Sequence, residues 1–273
     1  MYLFSQRNSI KKKTNKQSGF TLIELVTVIV ILGILAIGLS SFIKFGSEIF
    51  IGATDREKIL SSARFSIERL NRELRVAVPN SARVLSNGCL EFTPIAHSFV
   101  YIDIPVSPDP DSSMIELVPT RLPADYTDGD YDNYSVVVYP LTSADIYVVG
   151  NDKVYPISSV DFSTTPYQLT LSTPVSFAED STTQRIFIME KSVMYCYENN
   201  DELVRYDIDG HNADGTISGQ SNRALMAEDI ISLSFNAGTG TRQRNGTVEA
   251  RFEFSRNNEV IRFNNEVQVP NVP

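Results

Sequence analysis

From Phe20 to Ile43 the chain reads FTLIELVTVIVILGILAIGLSSFI, apolar at nearly every position and charged only at Glu24. The uncharged run from Leu25 to Ile43 is 19 residues long. As a helix the segment from Phe20 spans roughly 36 Å at about 1.5 Å per residue, enough to cross a ~30 Å hydrocarbon core. After Lys44 unbroken apolarity gives way to a helical period. Ile59, Ala63, Ile67, Leu70 and Leu74 recur at three- and four-residue steps, a stripe made for a core. Arg64, Glu68, Arg69, Arg72, Glu73 and Arg75 fill the other face, with Glu68 four residues before Arg72. That face reads as solvated or as a subunit contact. Pro79 cannot continue a helix, so one helix is expected over residues 20–78, transmembrane over 20–43 and amphipathic over 44–78. Gly33, Gly38, Gly46 and Gly52 are expected to bend or locally melt it.

Beyond Pro79 the apolar spacing changes from helical to alternating. Short β-branched and aromatic runs recur between turn residues at Phe99–Ile104, Ser135–Tyr139, Ile146–Val149, Gln168–Leu171, Arg185–Met189, Val193–Tyr197 and Ile230–Phe235. The clearest, Val248–Phe254, alternates by two, meets a turn at Asn257-Asn258 and resumes at Val260–Phe263, which predicts a terminal hairpin. Arg223–Asp229 reads as a short helix. The stretches 105–133 and 207–222, rich in Pro, Asp, Ser and Gly, read as long exposed loops. The expected fold class is α+β, a long N-terminal helix followed by a β-rich head over residues 80–273.

Charge adds a direction. The whole chain has 24 Lys+Arg against 33 Asp+Glu, a net −9. Residues 1–19 carry Arg7, Lys11, Lys12, Lys13 and Lys16 and no acid, so the rest of the chain stands at −14. By the positive-inside rule the basic tip stays in the cytoplasm and the head lies outside. An acidic body argues against a nucleic-acid partner, whereas the apolar run implies membrane lipid.

A secretory signal peptide has an apolar stretch of about 7–15 residues followed by a small-residue cleavage site. This run is longer, and no A-x-A-like site follows it. A plain uncleaved anchor accounts for the length but not for Glu24. A carboxylate in an apolar helix costs about 2.5–3.5 kcal/mol at the bilayer centre, less near the surface, and marks a functional residue in need of a cation. The segment has none of its own.

The stretch Lys16-Gln17-Ser18-Gly19-Phe20-Thr21-Leu22-Ile23-Glu24 resembles the processing site of type IV pilins and pseudopilins: a basic leader, Gly, then Phe-Thr-Leu-Ile-Glu opening the apolar helix. The resemblance implies that a prepilin peptidase cuts between Gly19 and Phe20, removes residues 1–19 as a leader, and N-methylates Phe20. Such a cut keeps the helix. Glu24 then matches the family's assembly glutamate, which pairs with the N-terminal amine of a neighbouring subunit. A new ammonium at Phe20 supplies the missing cation, and in low dielectric that pair is strongly directional. Gly33 stands where pilins commonly have a helix-loosening Gly. The helix proline frequent in major pilins would fall at Ser41 and is missing, which points to a minor subunit. The implied function is structural, with no enzymatic activity. The implied partners are the prepilin peptidase, other minor pilins, the major pilin and the inner-membrane assembly platform; the implied location is the inner membrane, with the head in the periplasm.

A second resemblance lies in the head. The segment 192–206, SVMYCYENNDELVRY, resembles the V-x-Y … L-x-R hairpin of J-type minor pseudopilins of type II secretion and their relatives. With the ending 267–273, it is also similar to minor pilins of the mannose-sensitive haemagglutinin (MSHA) pilus. An MSHA-type minor pilin is the first reading and a J-type pseudopilin the second. In an oxidising periplasm Cys89 and Cys196, both at or in predicted strands, read as one disulfide, with two separate buried thiols as the alternative.

Other chemistry finds little support. Asp207-Ile-Asp209-Gly-His-Asn-Ala-Asp214-Gly215 has carboxylates at positions one, three and eight but lacks the EF-hand Gly at six and acid at twelve. Asp128-Gly-Asp130-Tyr-Asp132 also breaks the pattern. Both read as solvated turns, with bound calcium as the alternative. His97 and His211 read as surface or core residues. No G-x-S-x-G, Walker loop, G-x-G-x-x-G or C-x-x-C occurs, and Gly238-Thr239-Gly240 reads as a turn. No catalytic, cofactor-binding or metal site is expected.

Overall fold

The computed structural model describes residues 19–121, 129–131, 133–198, 201–210, 214–217, 222–241, 244–257 and 259–269. The expectations for the leader over 1–18, for Asp128, Asp132, His211 and Asn258, and for the ending 270–273 lie outside the described residues.

The expected N-terminal helix is α1 (Leu22–Arg75). It contains no proline and ends just before Pro79 in three-residue hydrogen bonds, Val76 N–H to Glu73 C=O at 3.2 Å and Ala77 N–H to Leu74 C=O at 3.3 Å. Gly33, Gly38, Gly46 and Gly52 lie inside it without the expected melting. Each glycine costs about 1 kcal/mol relative to Ala, and the four are spaced singly along 54 residues, too little at any one point to break the helix.

The chain divides into two compact units at Ala53/Thr54. In the first, every residue from 19 to 53 is exposed, and large apolar side chains point outward on all sides. α1 is long and apolar enough to cross a membrane.

The second unit holds the rest of α1 and the β-rich head. Its elements are β1 (Arg83–Val84), β2 (Leu90–Phe92), β3 (His97–Asp103), β4 (Ser112–Leu117), β5 (Gly129–Asp130), β6 (Ser135–Val138) and the short helix α2 (Ala144–Tyr147). They continue with β7 (Val154–Asp161), β8 (Tyr167–Val175), β9 (Arg185–Met189), β10 (Lys191–Glu198) and β11 (Glu202–Asp209). β12 (Asn222–Ala227), β13 (Ile230–Gly238), β14 (Gly246–Arg256) and β15 (Glu259–Val269) complete the chain. Three sheets result, in the orders β1-β2-β10-β11-β12, β13-β14-β15 and β5-β7-β6-β9-β3-β4-β8.

The first two sheets share a core with the helix. Ile59, Ala63, Leu70 and Leu74 are buried, and Ile67 half-buried, against Phe92, Tyr195, Phe252 and Phe254. Each fully buried Ile or Leu contributes about 1.5–3 kcal/mol, so the stripe predicted from spacing attaches α1 to the head. Alternation likewise delivered the terminal hairpin: β14 and β15 pair from Gly246↔Val269 to Arg256↔Glu259 without a register shift.

Four local expectations are corrected. Ile146–Val149 is not a strand, because the Asp145 carboxylate accepts the N–H groups of Leu141 (2.8 Å) and Thr142 (2.9 Å) and sets up the α2 turn. Arg223–Asp229 is not a helix; despite its Ala, Leu and Met, residues 222–227 form β12, with Leu225 opposite Val204 and Ala227 opposite Leu203. The expected loops are shorter, since β4 and β5 fall inside 105–133 and β11 extends to Asp209. Finally, Glu73 is not on a solvated face. The ion pair observed there is Arg69–Glu73 at 3.1 Å, and Glu73 turns into the head.

Candidate processing and assembly site

Gly19 and Phe20 precede α1 and are exposed, and Glu24 sits in the first turn. The helix begins as a capping box. Thr21 C=O accepts the N–H of Leu25 (3.2 Å), Thr21 Oγ1 accepts the N–H of Glu24 (3.4 Å), and Glu24 Oε2 accepts the N–H of Thr21 (3.3 Å). The Thr21 hydroxyl also donates to Glu24 Oε2 at 3.1 Å. The carboxylate therefore lies at the positive end of the helix dipole, which favours its charge. Among the described residues, no cation pairs with it. Thr21 was missed as a partner of Glu24, although the T-x-x-E pattern ahead of an apolar run is a capping-box signature.

A second polar cluster joins α1 to the head. Glu73 accepts the Tyr195 hydroxyl (2.9 Å) and Arg205 Nε (3.0 and 3.1 Å), and Arg205 also forks onto Asp207 at 2.7 and 2.9 Å. Lys191 reaches Asp207 at 3.3 Å. Burial raises the Asp207 pKa, but the hydrogen bonds and charge of Arg205, with Lys191, outweigh it and hold the carboxyl below its ordinary range. Burial and the Glu73 charge push the Tyr195 hydroxyl upward, so it stays a donor. With its oxygens engaged by Arg205 and Lys191, Asp207 serves this cluster. Asp214 accepts from Thr216 (2.8 and 3.0 Å). Among the described residues no group of His, Cys, Asp and Glu is placed to hold a metal ion.

Cys89 and Cys196 are joined, S–S 2.02 Å, across a sequence separation of 107. A turn delivers Cys89: Gly88 adopts φ +82°, which glycine takes without strain, and Asn87 Oδ1 accepts the Cys89 N–H at 3.0 Å. Cys196 comes from β10, whose pairing with β11 runs unbroken from Lys191↔Asp209 to Glu198↔Glu202 and includes the hairpin singled out in the sequence.

Residues 14–40 match the model of the prokaryotic N-terminal methylation motif. This is the signal of type IV prepilins. The chain is type IV pilin-like. The match covers Gly19, Phe20, Glu24 and the opening of α1, and the pilin-like motif with the exposed apolar helix points to a membrane-anchored structural subunit. It also implies processing by a prepilin peptidase and assembly with other pilins. No curated protein and no solved structure matches the chain.

Proposed function

We propose that this chain is a minor pilin of an MSHA-type pilus, similar to MshO, acting in pilus initiation and assembly at the inner membrane. The observation that carries the reading is the prepilin motif with Glu24 at the head of a helix that is apolar on every side. The basic leader holds the N-terminus in the cytoplasm, and the head lies in the periplasm. The peptidase hydrolyses the Gly19–Phe20 bond, leaving an ammonium at Phe20; methylation keeps its charge. That cation meets the Glu24 carboxylate of a neighbouring subunit within the bilayer and draws the chain into a complex with other minor pilins, the major pilin and the assembly platform. Lipid surrounds the helix until then. The absent helix proline at Ser41 favours a minor over a major subunit.

The hairpin over 192–206 favours one second reading, a J-type minor pseudopilin of type II secretion. Deleting the gene separates the two, scored by surface pili and secreted enzymes together. Loss of pili with secretion intact is expected. Loss of secretion with pili intact overturns the pilus assignment in favour of the pseudopilus.

Two further outcomes belong to this reading. Gly19→Ala should leave the chain at its full precursor mass, because the peptidase meets a methyl group where it requires none; a normal mature mass refutes the assigned cut. In the periplasm Cys89 and Cys196 form a bridge worth up to about 4.7 kcal/mol for a loop near 100 residues in the chain-entropy model. Thiol titration of the unreduced, unfolded protein should find no free thiol, and a count of two removes the bridge.

A further inference from the structure

The three hydrogen bonds between Thr21 and Glu24 divide the carboxylate's two oxygens. Oε2 receives both Thr21 donors, the N–H at 3.3 Å and the hydroxyl at 3.1 Å, while the same hydroxyl oxygen accepts the Glu24 N–H at 3.4 Å. Both residues are exposed, and neither makes any other side-chain hydrogen bond across to another part of the chain among the described residues. Thr21 and Glu24 both lie on the retained side of the Gly19–Phe20 bond, so the arrangement outlasts processing.

We infer that Thr21 is a positioning residue for the assembly ion pair: it holds one oxygen of the Glu24 carboxylate and presents the other to the ammonium of a neighbouring subunit. This deepens the reading proposed above and rests on it. A carboxylate surrounded by hydrocarbon is costly unless its lone pairs are occupied. The two Thr21 donors occupy Oε2 before any neighbour arrives, so the carboxylate waits in a fixed orientation instead of sampling rotamers. A long Glu side chain gives up rotamer freedom when it forms a contact; fixing it beforehand removes that cost from the assembly step. Oε1 remains for a charge-assisted bond to the incoming cation. Valine has nearly the shape of threonine but has no hydroxyl, so Thr21→Val removes two of the three hydrogen bonds and leaves only the backbone donor.

The test uses the full chain, tagged at its C-terminus and expressed in its own cells. Its readouts are the mature mass and the processed pilin subunits recovered with it from detergent-solubilised membranes. Thr21→Val should be processed and membrane-embedded as the wild type is, yet recover roughly tenfold less of the other pilins, the effect of one hydrogen bond to a charged group. Thr21→Ser, which keeps the hydroxyl, should restore recovery. In a Glu24→Gln background Thr21→Val should cost nothing more, because the ion pair it serves is already gone. Wild-type recovery with Thr21→Val overturns the inference. So does a loss that Ser fails to restore, or one that persists undiminished beside Glu24→Gln, since either describes a merely structural role. If Glu24→Gln alone leaves recovery unchanged, the proposed ion pair fails instead, and the two failures are thereby told apart.

Discussion

Arg205→Met is expected to lower the stability of the head by about 3 kcal/mol, the lower end of the range for breaking a buried ion pair. The Arg205 side chain is 7% exposed and bridges Glu73 on α1 to Asp207 on β11, so methionine removes their shared cation and leaves Glu73 with Arg69 and Asp207 with Lys191 alone. The lower end applies because both carboxylates keep 19% exposure and can draw some water. For a head of this size the midpoint of thermal unfolding should fall by roughly 6–12 °C. Adding Glu73→Gln should recover part of the loss by removing one under-compensated charge, a non-additivity of about 1 kcal/mol or more. The pH dependence has a definite sign. Asp207 has a depressed folded pKa, so its contribution is complete above the unfolded value of about 3.9 and is lost as pH falls through the lower folded value. The gap between wild type and Arg205→Met should therefore narrow below about pH 4, where the contribution of Asp207 fades. Thermal melts of the full chain in detergent between pH 3 and 7 measure all of this. A loss under 1 kcal/mol, or strict additivity with Glu73→Gln, would mean that the cluster does not hold the helix to the head.

Glu24→Gln is expected to leave the mature mass unchanged and to reduce the pilin subunits recovered with the chain by at least about tenfold. Glutamine at the third helical position completes a capping box as glutamate does, so the helix start survives the substitution. What is lost is charge. An ammonium brought into the bilayer beside a neutral amide is uncompensated, and removing one member of a desolvated pair costs several kcal/mol, each 1.4 kcal/mol being about a factor of ten. Glu24→Ala removes the cap as well as the charge. Comparing the two variants by recovery and by helix content isolates the charge. Equal recovery of partners with Glu24→Gln and wild type would exclude the ion pair.

The elements that could be read from sequence are those whose burial repeats with a period. α1 announced itself through unbroken apolarity and then through Ile59, Ala63, Leu70 and Leu74; β14 and β15 did so through alternation. Where contacts between distant residues decide, local pattern fails. The composition of Arg223–Asp229 favours a helix, but pairing with β11 and burial of Met226 and Ala227 against α1 make it a strand. β2 is only three residues long, and between buried Leu90 and Phe92 it holds a fully buried Glu91 paired with Arg83 at 2.6 Å, a burial no local pattern signals. Glu73 resembled its neighbours on the charged face, and only its distance to Arg205 distinguishes it. At the N-terminus the motif itself was legible, because it is a linear segment. The T-x-x-E spacing of Thr21 and Glu24 carries a capping-box signature that the motif reading passed over, and their link emerged from the geometry.

The most direct test of the account is the N-terminus of the wild-type chain isolated from the membranes of its own cells, read by mass spectrometry of the intact protein and of its first peptide. The account predicts a chain that begins at N-methylated Phe20 and retains the whole apolar helix. A chain that still begins at Met1, or one that begins beyond Ile43 after loss of the helix, would contradict it.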